Sequence, residues 1–163
     1  MNILLLNGPS SSGKSSIAKL LKQRLESSRK CSIIALDDYL KMTPDEPIWE
    51  DDVYEVTSTM CQKITEALEN GYFVIVDHVI TSKRIYEAIL QSFMGKEAFK
   101  VLVSCDIDIL KKREKVRGNR CIGSAEASLE YLYPKDNYDL TVDTGLKSTE
   151  QIVDQIIKYI KME

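Results

Sequence analysis

The sequence predicts a three-layer α/β fold, with five parallel strands in one sheet and helices on both faces. Three observations carry that expectation. Short apolar runs alternate with longer segments whose apolar residues recur at helical spacing. Each apolar run ends on polar or acidic residues, and such sheets bind ligands at the carboxyl ends of their strands. The loop after the first run reads Gly8-Pro9-Ser10-Ser11-Ser12-Gly13-Lys14-Ser15, which is G-x-x-x-x-G-K-[ST] between a strand and a helix, the setting that this P-loop (Walker A) motif requires.

The elements follow in order. Ile3–Leu6 is the first strand, and the helix from about Lys14 buries Ile17, Leu20, Leu21 and Leu25. Cys31–Leu36 is the second strand and ends at Asp37-Asp38. After a non-periodic stretch with Pro44 and Pro47, a helix from about Asp51 carries Val53, Val56, Met60, Ile64 and Leu68 on one face. Asn70-Gly71 closes it, since glycine is favoured just past a helix end. Tyr72–Val76 is the third strand and leads to Asp77-His78; a helix with Ile85, Ile89 and Phe93 follows. Phe99–Cys105 is the fourth strand and 107–116 a helix. A basic, glycine-containing segment leads to a short helix near 125–132. Tyr138–Val142 is the last strand, and Ile152, Val153, Ile156, Ile157 and Ile160 make the closing helix amphipathic. The expectation is one domain over 1–163, with a substrate-side segment at about 39–55 and a lid at about 113–124.

Bulk properties exclude several classes. With 44% hydrophobic and 29% charged residues the chain has an ordinary globular composition. A net charge of -3 gives no basic excess for nucleic acid or an anionic membrane. No apolar run approaches the roughly 20 residues of a membrane span, and the N-terminal apolar stretch is better used as a strand than as a signal peptide. Cys31, Cys61, Cys105 and Cys121 are widely spaced and accompanied by one histidine, so neither a zinc site nor a disulfide framework is expected. Reduced thiols in the cytoplasm are the expectation.

Phosphoryl transfer needs a phosphate cradle, a metal, a group that orients or deprotonates the acceptor, and positive charge that can close over the phosphates. The chain has a candidate for each. Gly8–Ser15, with Ser16 next in the helix, supplies backbone N–H groups for the phosphates of ATP; Lys14 is placed for the β- and γ-phosphates and the Ser15 hydroxyl for Mg²⁺. Asp77 ends an apolar strand, either to hold a metal-bound water or to cap the next turn. Asp37 is the candidate general base. Adjacent strand positions face opposite sides, so Asp38 is assigned a cap or a substrate contact instead. Arg113, Arg117 and Arg120 are the lid cations, with Gly118 as the bend, while Lys111, Lys112 and Lys115 read as a solvated face. By analogy with related kinases, Arg113 is also expected to stack on the adenine and the loop Thr144–Lys147 to border it. His78 touches substrate or bonds a loop carbonyl. The acidic run 45–55 either suits a helix N-terminus or walls a basic substrate, with Tyr39 and Trp49 adding aromatic contact.

Gly8–Ser16, the strand end Ala35-Leu36-Asp37, Val74–Asp77, the segment Arg113–Arg120 and the tail Tyr138–Thr144 together resemble the chloramphenicol phosphotransferases. The resemblance covers most of the chain outside about 39–55. It implies the three-layer P-loop kinase fold and transfer of the ATP γ-phosphate to a hydroxyl of a small molecule. It also implies Asp37 as general base, and Arg117 and Arg120 as lid arginines. Asn119 stands where that family's lid carries an acid, and the segment after the base is shorter and acidic.

Two other readings stand beside it. A metabolite or nucleoside kinase with an anionic acceptor calls for basic residues near 40–60, where the chain is acidic and Lys41 and Lys63 are the main exceptions. A nucleotide-binding switch or toxin-like module would bind nucleotide without turning over a small molecule; the sequence has no N/T-K-x-D guanine-reading motif. Oligomeric state is not readable from the sequence.

Overall fold

The computed structural model describes residues 1–162; Glu163, which the single-domain expectation included, lies outside the described residues. Five strands form one parallel sheet: β1 (Ile3–Asn7), β2 (Cys31–Ala35), β3 (Phe73–His78), β4 (Phe99–Ser104) and β5 (Leu140–Asp143). Their order is β2-β3-β1-β4-β5. The chain therefore winds outward from β1 to one side, then returns past it to the other. That reversal opens a crevice at the carboxyl end of β1, where the glycine-rich loop stands.

Alternation along the strands sorts their side chains between two cores. Leu4, Leu6, Phe73, Ile75, Val101 and Val103 join the core under α1 (Lys14–Leu25) and α6 (Thr149–Met162). Ile3, Leu5, Val74 and Val76 join the core under α2 (Glu50–Glu69) and α3 (Lys83–Ser92). Both faces of β1 and β3 are fully covered, which is why these strands read as unbroken apolar runs. A smaller cluster of Cys105, Leu110 and Ala125 seats α4 (Ile107–Arg117) against α5 (Ser124–Glu130).

The element types agree with the sequence, and the differences have local causes. The second strand stops at Ala35, and Leu36–Asp38 is one turn of 3-10 helix closed by Tyr39 N–H on the Leu36 carbonyl. The argument that Asp37 and Asp38 face opposite sides of a strand therefore fails, because the chain is no longer extended there. The third strand runs on through Asp77 and His78, paired with β1 up to Asn7. The last strand starts at Leu140. The α2 helix begins with the Asp52 carboxylate accepting from Trp49 N–H at 2.7 Å. All four cysteines are free, and among the described residues no helix is long and apolar enough to cross a membrane.

Candidate active site

The loop between β1 and α1 is anchored from below by Asn7. Its Oδ1 accepts from Gly8 N–H (3.0 Å) and Ile80 N–H (2.9 Å), and its Nδ2 donates to the Tyr133 carbonyl (2.9 Å) and the Tyr138 hydroxyl (2.8 Å). A single buried amide thus ties the loop to the segment just after β3 and to the chain ahead of β5. Two glycines are required by the loop's shape. A Cβ on Gly8 would run into the Val103 carbonyl oxygen, and Gly13 has φ 95°. With that geometry the N–H groups of Gly13, Lys14, Ser15 and Ser16 find no carbonyl partner among the described residues. They form the positive end of α1, an anion site by construction.

Lys14 is buried, and its Nζ donates to the Pro9 carbonyl at 2.9 Å and reaches Ser12 Oγ at 3.4 Å. Burial lowers its pKa; the nearby Asp77 and Asp37 oppose that shift. The Ser15 hydroxyl donates to Asp77 Oδ2 at 2.6 Å. Burial raises the Asp77 pKa, against the pull of Lys14 and the Ser15 hydrogen bond. Ser10 N–H donates to Ser128 Oγ on α5 at 2.9 Å. Ser11 has φ 66° and its buried hydroxyl has no partner.

Two of the three arginines meet at one carboxylate. Arg117 and Arg120 both donate to Asp37 Oδ2, at 2.9 and 2.6 Å. Arg120 is buried, and burial lowers its pKa while Asp37 counters it. Arg113 donates to Thr144 Oγ1 (2.8 Å) and the Thr144 carbonyl (2.9 Å), and Thr144 Oγ1 donates to the Ser12 carbonyl at 2.7 Å. The structure thus brings Arg113 and Thr144 together beside the phosphate loop. Glu114, within the basic run, is turned inward with 2% exposure. It accepts from Gly123 N–H (3.0 Å) and Ala125 N–H (2.8 Å), fixing the loop that carries Arg120.

These groups line one cavity of about 970 Å³, at the upper end of the usual size for a small-molecule site. Asp37, Asp77, Lys14, Ser15, Arg113, Arg117 and Arg120 all reach it, as do His78 and Trp49. Asp38 and Tyr39 do not. Asp38 is exposed outside the cavity, and Tyr39 packs half-buried against the α2 core, because the 3-10 turn directs them away. His78 has 0% exposure, and burial lowers its pKa to about 4. The backbone of Val79, a loop group of the kind expected for His78, counters part of that shift.

The donor set suits magnesium. Among the described residues no group of three or more His, Cys, Asp or Glu side chains gathers as a metal cage. Magnesium asks for little protein ligation when phosphates share it. The Ser15 hydroxyl and Asp77 carboxylate, at hydrogen-bond distance beside the anion site, offer the hard oxygens it takes.

Sequence reasoning missed Asn7, Glu114 and Ser128. Asn7 carries a signal, a polar residue ending an apolar strand, and so does Glu114, an acid amid cations.

The fold recurs among solved structures. The APS kinase of Mycobacterium tuberculosis, solved with AMPPNP and APS, superposes with a TM-score of 0.78 at 20% identity, covering 98% of this chain and 98% of that one. A gluconokinase from Sinorhizobium meliloti gives 0.67 at 20% identity, covering 94% and 89%. The tunicamycin resistance protein of Deinococcus radiodurans gives 0.67 at 18% identity, covering 97% and 94%. At these identities the likeness is one of fold, that of the P-loop kinases. No curated protein sequence matches the chain. The family profile described as chloramphenicol phosphotransferase-like protein matches residues 1–161, and the chain belongs to that family.

Proposed function

We propose that the chain is a phosphotransferase that moves the γ-phosphate of ATP to a hydroxyl of a small molecule. Family membership and the kinase fold support the coarser statement, a nucleotide-dependent kinase. The observation that carries the finer one is the grouping of Lys14, Ser15, Asp77 and an arginine-held Asp37 around a single cavity.

Each residue then has a task. The N–H groups from Gly13 to Ser16 and the Lys14 ammonium hold the phosphate chain, with Lys14 leaving the Pro9 carbonyl for phosphate oxygens. Ser15 and Asp77 would hold Mg²⁺, which would supply charge neutralisation to the phosphates. Asp37 accepts the proton of the acceptor hydroxyl as its oxygen attacks. The new bond joins that oxygen to the γ-phosphorus, the bond to the bridging oxygen breaks, and ADP departs. Arg117 and Arg120 must then turn from Asp37 toward the phosphoryl oxygens, where a planar fork of donors meets spreading negative charge. Lid closure keeps water from taking the acceptor's place. The protein works as one domain with a segment at about 39–55 toward the acceptor and a lid at about 113–124. Reduced thiols and ATP dependence both suit the cytoplasm.

The test is turnover with Mg-ATP across a library of hydroxylated compounds, read as ADP release and as a new phosphate ester. Asp37→Asn should lower turnover by about 10²-fold or more while the nucleotide still binds. Unchanged turnover in that variant removes Asp37 from the role.

A further inference from the structure

The arginines that phosphoryl transfer needs at the phosphates are bonded, within the chain, to the proposed base itself. Arg117 and Arg120 both donate to Asp37 Oδ2, at 2.9 and 2.6 Å. Two donors fill the two lone pairs of that oxygen, so it is closed to a hydroxyl proton. The contact also spans the site. Asp37 follows β2, and the two arginines belong to the connection after β4; β1, with its phosphate loop, lies between those strands in the sheet. Burial lowers the Lys14 pKa, Asp77 and Asp37 oppose that, and Arg117 and Arg120 add to it, so the bonded trio acts within reach of the phosphate lysine.

Among the described residues no other carboxylate pairs with these arginines. Of the remaining acids lining the cavity, Asp77 bonds Ser15, and Glu50 bonds Ser82 and Arg84. The segment has room to turn at one place. Gly118 stands between the two arginines with φ 67°, and a Cβ there would meet nothing within 4 Å. Beyond it, Glu114 pins Gly123 and Ala125. Movement is thereby confined to about 117–122, the stretch that holds both guanidiniums. The Arg117 and Asp37 side chains are 34% and 38% exposed, and ion pairs open to water are weak. A polyphosphate offers the same forks more charge and more oxygens than one carboxylate does.

We propose that Asp37 tethers the lid segment before it serves as base: its carboxylate competes with the phosphates of the nucleotide for Arg117 and Arg120, and arrival of the nucleotide frees it. The proposal rests on the phosphotransferase reading above and adds regulation of that site. The tether lowers nucleotide affinity, because the binding-competent form is only a fraction of the whole. It also keeps the base engaged until the phosphate donor is in place, so the acceptor meets a free carboxylate only after ATP has bound. Coupling of this kind is reciprocal: whatever weakens the tether strengthens nucleotide binding.

The experiment is calorimetric titration of the full chain with Mg-AMPPNP at fixed ionic strength, on four proteins: wild type, Asp37→Asn, Arg117→Gln with Arg120→Gln, and the triple variant. Asp37→Asn keeps the shape of the side chain without its charge and should bind Mg-AMPPNP about three- to tenfold tighter than wild type. In the background without the arginines the same substitution should change affinity by less than about twofold. If the arginine pair does not fold, Arg117→Gln alone serves as the background, and the gain there should be no more than about half as large. Limited trypsin digestion gives a second readout. Without nucleotide, Asp37→Asn should be cut after Arg117 and Arg120 at least about threefold faster than wild type, and Mg-AMPPNP should remove the difference. An Asn variant that binds no tighter than wild type, or is cut no faster, overturns the tether. So does an equal gain in the background without the arginines, which would assign the effect to repulsion between the carboxylate and the phosphates. Absence of Mg-AMPPNP binding by the wild type sinks the phosphotransferase reading itself, so the two failures are distinguishable.

Discussion

Glu114→Gln tests whether the proposed lid is built from inside. The carboxylate is buried and accepts from two backbone N–H groups, Gly123 at 3.0 Å in the segment joining α4 to α5 and Ala125 at 2.8 Å in the first turn of α5. Hydrogen bonds to a charged group each contribute about 1.5–3 kcal/mol, and a buried donor left unmet costs about 1–3 kcal/mol. The glutamine amide keeps one acceptor oxygen and turns an NH₂ toward the second N–H, so one bond is lost and two donors face each other. The expected cost is about 2–3 kcal/mol. For a chain of this size about 1 kcal/mol moves the melting temperature by about 2–4 °C, so the midpoint should fall by roughly 4–12 °C. The same loop carries Arg120, which bonds Asp37. Turnover should therefore drop more than nucleotide affinity, since the P-loop does not touch Glu114. Scanning calorimetry with steady-state kinetics checks both. A midpoint within about 1 °C of wild type would show that water replaces the lost acceptor and that the lid does not depend on this carboxylate.

Asn7→Ala removes the side chain that meets four groups at the base of the phosphate loop. It should cost at least about 3 kcal/mol, because two backbone N–H groups lose their acceptor inside the protein; urea unfolding and nucleotide titration should both register the loss. Tyr138 gives a pH signature. Burial pushes its phenol up to about 12, chiefly by disfavouring the phenolate. A folded-state pKa above the unfolded one adds stability that is complete below about pH 10 and disappears as pH rises through about 12. Tyr138→Phe should flatten the alkaline arm of a urea-midpoint profile, and an unchanged slope would assign the alkaline loss to other groups.

Strands and helices were legible because one physical demand, burial on one face or both, writes a period into the chain. Leu4 and Leu6 answer to one core and Ile3 and Leu5 to the other, and the unbroken run follows. The phosphate loop was legible because Gly8 and Gly13 are dictated by close approach and by a positive φ. What escaped depended on distant partners. Whether Asp37 ends a strand or sits in a turn is decided by Leu36 reaching the core under α2, which no local pattern states. Asp38 and Tyr39 left the cavity for the same reason. Asn7 and Glu114 matter through backbone groups on separate segments, so composition alone gave them no weight.

Trp49 is the chain's one indole, and it stands in water at the lip of the cavity. Its emission therefore comes from a single place and needs no label. A ligand that settles against it, or a lid that swings over it, changes the colour and yield of that light in real time. The protein carries its own optical gauge of occupancy, so the order in which nucleotide and acceptor arrive can be followed by stopped-flow on the unmodified chain.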